Sequence, residues 1–230
     1  MDSEISRSIP LYGEEGYQNI KNAHVIIFGI GGVGGYVAEA LTRAGIGSLT
    51  FVDGDTVCVS NLNRQLIALS DTIGQYKAKL MEERAKHMMP KSKIQSFSVY
   101  YKEETKDQFD ISQYTYVVDC VDDVAAKLML AEECAKKDVP LISSMGTAMR
   151  MDPTRFQVGD IMKTSVCPLA RVMRRELKNR GIRHLKCVWS DEVPKMSVPR
   201  GEPLPSVSFV PAAAAMVIAG AVISDIINMT

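Results

Sequence analysis

His24-Val25-Ile26-Ile27-Phe28-Gly29-Ile30-Gly31-Gly32-Val33-Gly34 sets a short apolar run against a turn made largely of glycine. A run this short, closed by glycine, suits a strand buried on both faces, and the glycines let the chain swing directly into a helix from about residue 33. A strand, a glycine turn and a helix N-terminus make a phosphate cradle, because the backbone approaches the ligand closely and the helix dipole favours negative charge. Gly29, Gly31, Gly32 and Gly34 are therefore candidate nucleotide contacts; the plainer alternative is that they only permit the turn. After that helix and the next strand, the first acidic residue is Asp53, where a carboxylate that grips a ribose belongs.

The stretch beyond Asp53 decides which nucleotide. It reads Asp53-Gly54-Asp55-Thr56-Val57-Cys58-Val59-Ser60-Asn61-Leu62-Asn63-Arg64-Gln65, followed by Gly74-Gln75-Tyr76-Lys77. Hydride transfer has no use for Asn61, Arg64 and Lys77 beside the nucleotide, since the glycine turn already holds a dinucleotide's pyrophosphate. A nucleoside triphosphate does need them, because charge builds on the departing polyphosphate and fixed cations stabilise it. Arg64 or Lys77 alone would read as a solvated surface charge. Downstream, Tyr116-Val117-Val118-Asp119-Cys120-Val121-Asp122-Asp123 is a second short apolar strand that ends in carboxylates suited to magnesium. Asp122 is the first choice for metal and catalysis; Asp119 has the alternative of capping the next helix.

GxGGxG, D-x-D-x-V-x-x-S-N-L-x-R-Q, G-x-x-K and D-x-x-D, in this order, resemble the ThiF/MoeB superfamily of ATP-dependent adenylating enzymes, which includes the ubiquitin-activating enzymes. The resemblance covers roughly the first two thirds of the chain. Within the superfamily the chain is most similar to the branch of tRNA threonylcarbamoyladenosine dehydratases, through Arg7-Ser8-Ile9-Pro10-Leu11-Tyr12-Gly13-Glu14-Glu15-Gly16, Asp55-Thr56-Val57-Cys58-Val59, Lys163-Thr164, Pro168-Leu169-Ala170 and Ser208-Phe209-Val210-Pro211. The resemblance implies ATP with magnesium, adenylation of a carboxylate, and ring closure with loss of water on a tRNA nucleoside beside the anticodon. It implies a nucleotide-binding set of Gly29, Gly31, Gly32, Gly34, Asp53, Asp55, Asn61, Arg64 and Lys77. Asp122 would be the magnesium ligand, and Arg64, Lys77, Asp122 and Arg7 the catalytic group. It also implies a homodimer, in which Arg7 reaches the partner's ATP site; on sequence grounds alone Arg7 is a residue of a loose terminus. A sulfur-transfer or cysteine desulfurase system is a further candidate partner.

Apolar and amphipathic patterns alternate along the chain. Strands are expected near 24–28, 48–52, 94–100, 116–119, 139–143, 156–160 and 185–190, and helices near 33–44, 75–88, 123–137 and 168–180, with Gly45 and Pro90 marking helix exits. This predicts an α/β fold, a Rossmann-like, doubly wound and mostly parallel sheet with a smaller mixed C-terminal extension. The expected organisation is one adenylating domain over 1–230, with the nucleotide core in 1–150 and a substrate-facing, dimer-contact extension in 151–230. Phe209 to Ile227 is apolar for nearly a membrane span, but its small residues, Pro211 and Asp225 favour a buried helix over insertion.

The chain has 230 residues, 46% of them hydrophobic, enough for one substantial core. Lys+Arg and Asp+Glu number 27 each, so nucleic acid cannot be held by overall charge and needs a local patch. The dense candidate is Arg171, Arg174, Arg175, Lys178, Arg180, Arg183, His184 and Lys186, interrupted by Glu176; the alternative is a solvated face. The five cysteines, Cys58, Cys120, Cys134, Cys167 and Cys187, form no CxxC pair. Structural zinc is therefore not expected, and adenylation of a ubiquitin-like sulfur carrier, whose enzymes usually carry two such pairs, is the second choice. Cys167 and Cys187 are conceivable thioester nucleophiles, but a free cysteine usually packs as a small hydrophobe. The odd, scattered cysteines and the lack of a charged-then-apolar leader predict a cytoplasmic location.

Overall fold

A computed structural model describes residues 4–196, 198–199 and 201–229. Its elements are α1 (Ile9–Asn22), β1 (His24–Phe28), α2 (Gly34–Arg43), β2 (Ser48–Val52), α3 (Lys77–Met88), β3 (Lys93–Phe97), β4 (Tyr116–Asp119), α4 (Val124–Lys137), β5 (Leu141–Ser144), β6 (Phe156–Asp160), α5 (Pro168–Asn179), β7 (Lys186–Ser190) and α6 (Phe209–Ile227). The seven strands form one sheet in the order β3-β2-β1-β4-β5-β7-β6, parallel except for β6 against β7. The order reverses between β1 and β4, so a crevice opens beyond their C-terminal ends.

Alternation along β1 sorts its side chains between two cores. Val25 and Ile27 join Leu49, Phe51 and Val118 under α1, α2, α3 and α6, while Ile26 and Phe28 join Val52, Val117 and Leu130 under α4. A third cluster, from Leu128 and Ala131 through Met173 and Leu177 to Cys187 and Trp189, fixes α5 beside β7. In α6 the buried residues are Val210, Pro211, Ala214, Ala215, Ile218, Ala219, Val222 and Ile226, a stripe at helical spacing against the sheet. Its Asp225 accepts Tyr116 Oη at 2.6 Å and Lys186 Nζ at 2.7 Å, which anchors the far end.

Two departures from the sequence pattern have physical causes. α1 is a helix that the pattern does not signal, because Pro10, Gly13 and Gly16 interrupt it and Gly13 is non-helical at φ 73°. Docking supplies what propensity lacks: a Cβ on Gly16 would lie 3.0 Å from Ile227 Cβ, and Asn19 Nδ2 donates to Met229 O at 2.8 Å. Ahead of it Ile5 is buried against Gly45, whose φ of +88° marks the expected helix exit. β3 stops at Phe97 rather than near 100, since Tyr100 folds back with ring atoms 2.6 Å from where a Gly54 Cβ would stand.

Candidate active site

A cavity of ≈660 Å³ occupies the crevice at the reversal, lined by Gly29, Gly31, Gly32, Asp53, Asp55, Asn61, Arg64, Lys77 and Asp122 among others. Gly29 has φ +84°, and a Cβ there would sit 2.7 Å from Cys120 O, so only glycine fits. Gly31 and Gly32 meet nothing closer than 3.6 Å, which leaves their backbone open to a ligand at the start of α2. Gly34 does not line the cavity: a Cβ there would fall 1.7 Å from Gly29 O, so this glycine closes the strand-to-helix turn instead.

Asp53 stands at the end of β2. Its Oδ2 accepts the Ile30 N–H at 2.6 Å and its Oδ1 the Asp55 N–H at 2.7 Å, so the carboxylate ties the glycine turn to the next loop. Burial pushes its pKa up, and these two amides pull against that without cancelling it. Beside it, Lys77 opens α3 and is buried, with Nζ 2.8 Å from Asp55 Oδ2, while the other Asp55 oxygen accepts Tyr100 Oη at 2.5 Å. Burial alone would raise the Asp55 carboxyl; the Lys77 ammonium and the Tyr100 hydroxyl together hold it below its ordinary value. The same bond to Asp55 pushes the Tyr100 hydroxyl up to about 12. Asp55 thus holds Lys77 in place while its side chain stays about half exposed on the cavity wall.

A short 3₁₀ turn, Val59–Asn61, carries the next two contacts. Buried Asn61 lines the cavity and uses Oδ1 to accept the Cys58 N–H at 3.1 Å. Arg64 donates from Nη1 to Ser60 O at 2.7 Å and to Asn63 Oδ1 at 2.9 Å, leaving Nη2 and Nε for the cavity. Across the cavity the three acids at and after the end of β4 divide. Asp123 caps α4 by accepting the Ala126 N–H at 2.8 Å, and Asp119 is fully buried against Lys127 at 2.9 Å. The cap therefore comes from Asp123, not Asp119; Asp122 and Asp123 are both exposed along the cavity, and of the two only Asp122 has a carboxylate with no hydrogen-bond partner among the described residues. Lys127, Ser143 and Tyr100 escaped the sequence reading; the available signal was a lysine on the buried face of α4, between Ala126 and Leu130.

Arg7 lies outside this cavity, exposed on the surface between buried Ile5 and α1. The basic run near α5 is not one free patch. Arg174 is half-buried and donates to Thr164 O at 2.9 Å and to the Thr164 hydroxyl, Arg175 pairs with Glu176, Arg180 with Glu176 and Glu132, and Lys186 with Asp225. Arg171, Lys178 and Arg183 are exposed and have no carboxylate partner among the described residues. Cys167 and Cys187 are both packed into the core between α5 and β7, and burial pushes the Cys187 thiol up to about 12. Among the described residues no three His, Cys, Asp or Glu side chains converge.

A model of the ThiF family matches residues 5–229. The tRNA threonylcarbamoyladenosine dehydratase of Bacillus subtilis (strain 168) is 40% identical over 241 residues, covering 98% of this chain and 95% of that one. The crystal structure of E. coli tRNA N6-threonylcarbamoyladenosine dehydratase in complex with ATP superposes with a TM-score of 0.89 at 34% identity, over 97% of this chain and 93% of the other. The molybdopterin-synthase adenylyltransferase of Salmonella typhimurium (strain LT2) is 35% identical over only 138 residues, 60% of this chain and 54% of its own.

Proposed function

The chain belongs to the ThiF family, and on that premise we propose that it is an ATP-dependent tRNA threonylcarbamoyladenosine dehydratase. The observation that carries this reading is full-length likeness to an enzyme of that name, joined to a cleft equipped for a triphosphate. The threonyl carboxylate attacks the α-phosphorus of ATP and pyrophosphate departs. The carbamoyl group of the same nucleoside then closes a ring on the activated carbonyl, and AMP leaves with the carboxylate oxygen. Water is lost overall, and no enzyme nucleophile is needed, which agrees with the burial of Cys167 and Cys187.

Each residue has a role in that sequence of steps. The amides after Gly29 and the N-terminus of α2 receive phosphate, with the Asn61 amide beside them. Asp53 holds the ribose. Arg64 and Lys77 offset charge on the polyphosphate as it leaves. Asp122 would hold magnesium, whose preference for one or two carboxylates together with phosphate oxygens fits an exposed rim acid that no helix cap engages, beside the capping Asp123. That ion would neutralise charge on the phosphates.

Residues 151–230 would supply the tRNA face and the dimer contact of one adenylating domain. Exposed Arg171, Lys178 and Arg183 are the cations left to pair with tRNA phosphates. Arg7, held at the surface by the docking of Ile5 and α1, would act on the partner protomer's ATP in a homodimer. The reading places the enzyme in the cytoplasm, where its tRNA substrate is, with a sulfur-transfer system as a further partner. ATP–pyrophosphate exchange tests it: the exchange should require tRNA bearing threonylcarbamoyladenosine. Exchange driven instead by a carrier protein ending in Gly-Gly would overturn it in favour of the second choice.

A further inference from the structure

Asp122 is exposed and has no hydrogen-bond partner of its own among the described residues, yet the proposed function asks it to stand at a fixed place on the rim of the cleft. Its backbone is held from both sides. On the C-terminal side, Asp123 accepts the Ala126 N–H and so belongs to α4. On the N-terminal side, Asp119 Oδ1 accepts the Val121 N–H at 3.1 Å. That second hold is only as firm as Asp119 itself.

Asp119 Oδ2 accepts Ser143 Oγ at 2.5 Å and Lys127 Nζ at 2.9 Å. The same ammonium donates to Ser144 O at 2.8 Å and to Ser143 Oγ at 3.2 Å, so its three protons have three acceptors. Both members of the pair are inaccessible to solvent. Ser144 opens the Ser144–Ala148 wall of the cavity, while Cys120, Val121 and Asp122 form the adjoining wall. One buried ammonium thus ties together the two loops that face the nucleotide cradle. Stability is a weak explanation for such a pair, since well-packed apolar residues of similar volume often do as well or better in place of a buried ion pair. What apolar residues lack is the ability to fix the direction of Val121 N–H and Ser144 C=O.

We propose that Lys127 is a positioning residue for catalysis: through Asp119 and Ser144 it sets the rim on which Asp122 stands, without itself touching a substrate. This rests on the reading of Asp122 given above. It is tested on the full chain by a double-mutant cycle of Lys127→Gln and Asp122→Asn, with tRNA-dependent dehydration followed under single turnover and enzyme in excess. Lys127→Gln should lower the maximal rate ~10-fold or more, the usual scale for a group that orients a ligand residue, with little change in ATP half-saturation. In the Asp122→Asn background the same change should cost less than about twofold, because the two act as one unit.

A folded Lys127→Gln variant with the parental rate would overturn the proposal, as would an equal loss in both backgrounds, which is what a general loss of stability produces. If Asp122→Asn alone keeps the full rate, the reading of Asp122 fails as well, and the two failures are thereby told apart. Should Lys127→Gln not fold, as judged by its melting curve, Ser143→Ala removes a hydroxyl bonded to both Lys127 and Asp119. It should show the same non-additivity at about threefold, and additivity there would sink the proposal equally.

Discussion

Two stretches of this chain are dense in charge and polar function, 53–77 and 171–186, and the fold treats them in opposite ways. In the first, residues up to 24 positions apart converge: Asp53, Asp55, Asn61, Arg64 and Lys77 line one cavity, and Lys77 is buried with its ammonium held by Asp55. In the second, the charges disperse, with Arg174 bonded to Thr164 and Arg175, Arg180 and Lys186 each paired with an acid. Density along the sequence is therefore a poor guide to a binding surface. What separates the two stretches is the glycine turn and the sheet reversal, which give the first stretch one point to converge on and the second none.

The contrast is open to attack at its strongest point first. Arg64→Ala and Lys77→Ala should each cut turnover by ~10² or more, since a fixed charge at a developing anion contributes a few kcal/mol, while AMP affinity changes less. Steady-state kinetics beside AMP titration measures both, and near-parental turnover would make 53–77 no more special than 171–186. Mixing Arg7→Ala and Asp122→Asn protomers, each strongly impaired alone, should raise activity through mixed dimers that hold one intact site. No recovery after subunit exchange, with mixed dimers verified by tagged pull-down, would confine catalysis to one chain.

A smaller effect sharpens the second stretch. Replacing Arg171, Lys178 and Arg183 together with alanine should flatten the salt dependence of tRNA binding by about 0.7 to 0.9 in log-log slope for each tRNA phosphate that is no longer neutralised. Arg174→Ala should leave that slope unchanged and lower the melting temperature, because its guanidinium is spent on Thr164. The reverse outcome would show that the paired arginines are the ones that reach tRNA.

The smallest predicted effect concerns Asp53. Burial raises its pKa in the folded chain, so protonation is favoured by folding; the stabilisation is complete below the ordinary value of about 3.9 and is lost as pH rises through the folded value. At neutral pH the ionised group is then a net cost. Asp53→Asn should melt at the same or a higher temperature than the parent at pH 7, with the gap closing toward pH 4, although nucleotide affinity falls. Melting curves across that range check it; a variant that melts lower at pH 7 would mean that the Ile30 and Asp55 amides outweigh burial.

Legibility in the sequence follows the reach of the interactions involved. The β1, glycine-turn, α2 unit and Asp53 were readable because strand burial, φ > 0 at Gly29 and the helix N-terminus all act within a few residues of one another. Arg64, Lys77 and Asp122 were readable through their motifs, and all three line the cavity. The ion pair of Asp119 and Lys127 was not, because it depends on α4 laying one particular face over β4 and β5. Tyr100 escaped for the same reason: its hydrogen bond to Asp55 spans 45 positions. α1 had no local signal at all, being held by Ile227 and Met229 at the other end of the chain.

Isotope transfer reaches the proposed chemistry most directly. Substrate tRNA whose threonyl carboxylate carries heavy oxygen is converted with ATP by the purified protein, and the released AMP is weighed. If the carboxylate attacks the α-phosphorus, AMP leaves with one labelled oxygen for each nucleoside dehydrated, and the pyrophosphate is unlabelled. Unlabelled AMP, or ADP with labelled phosphate in place of AMP and pyrophosphate, would contradict activation by adenylation.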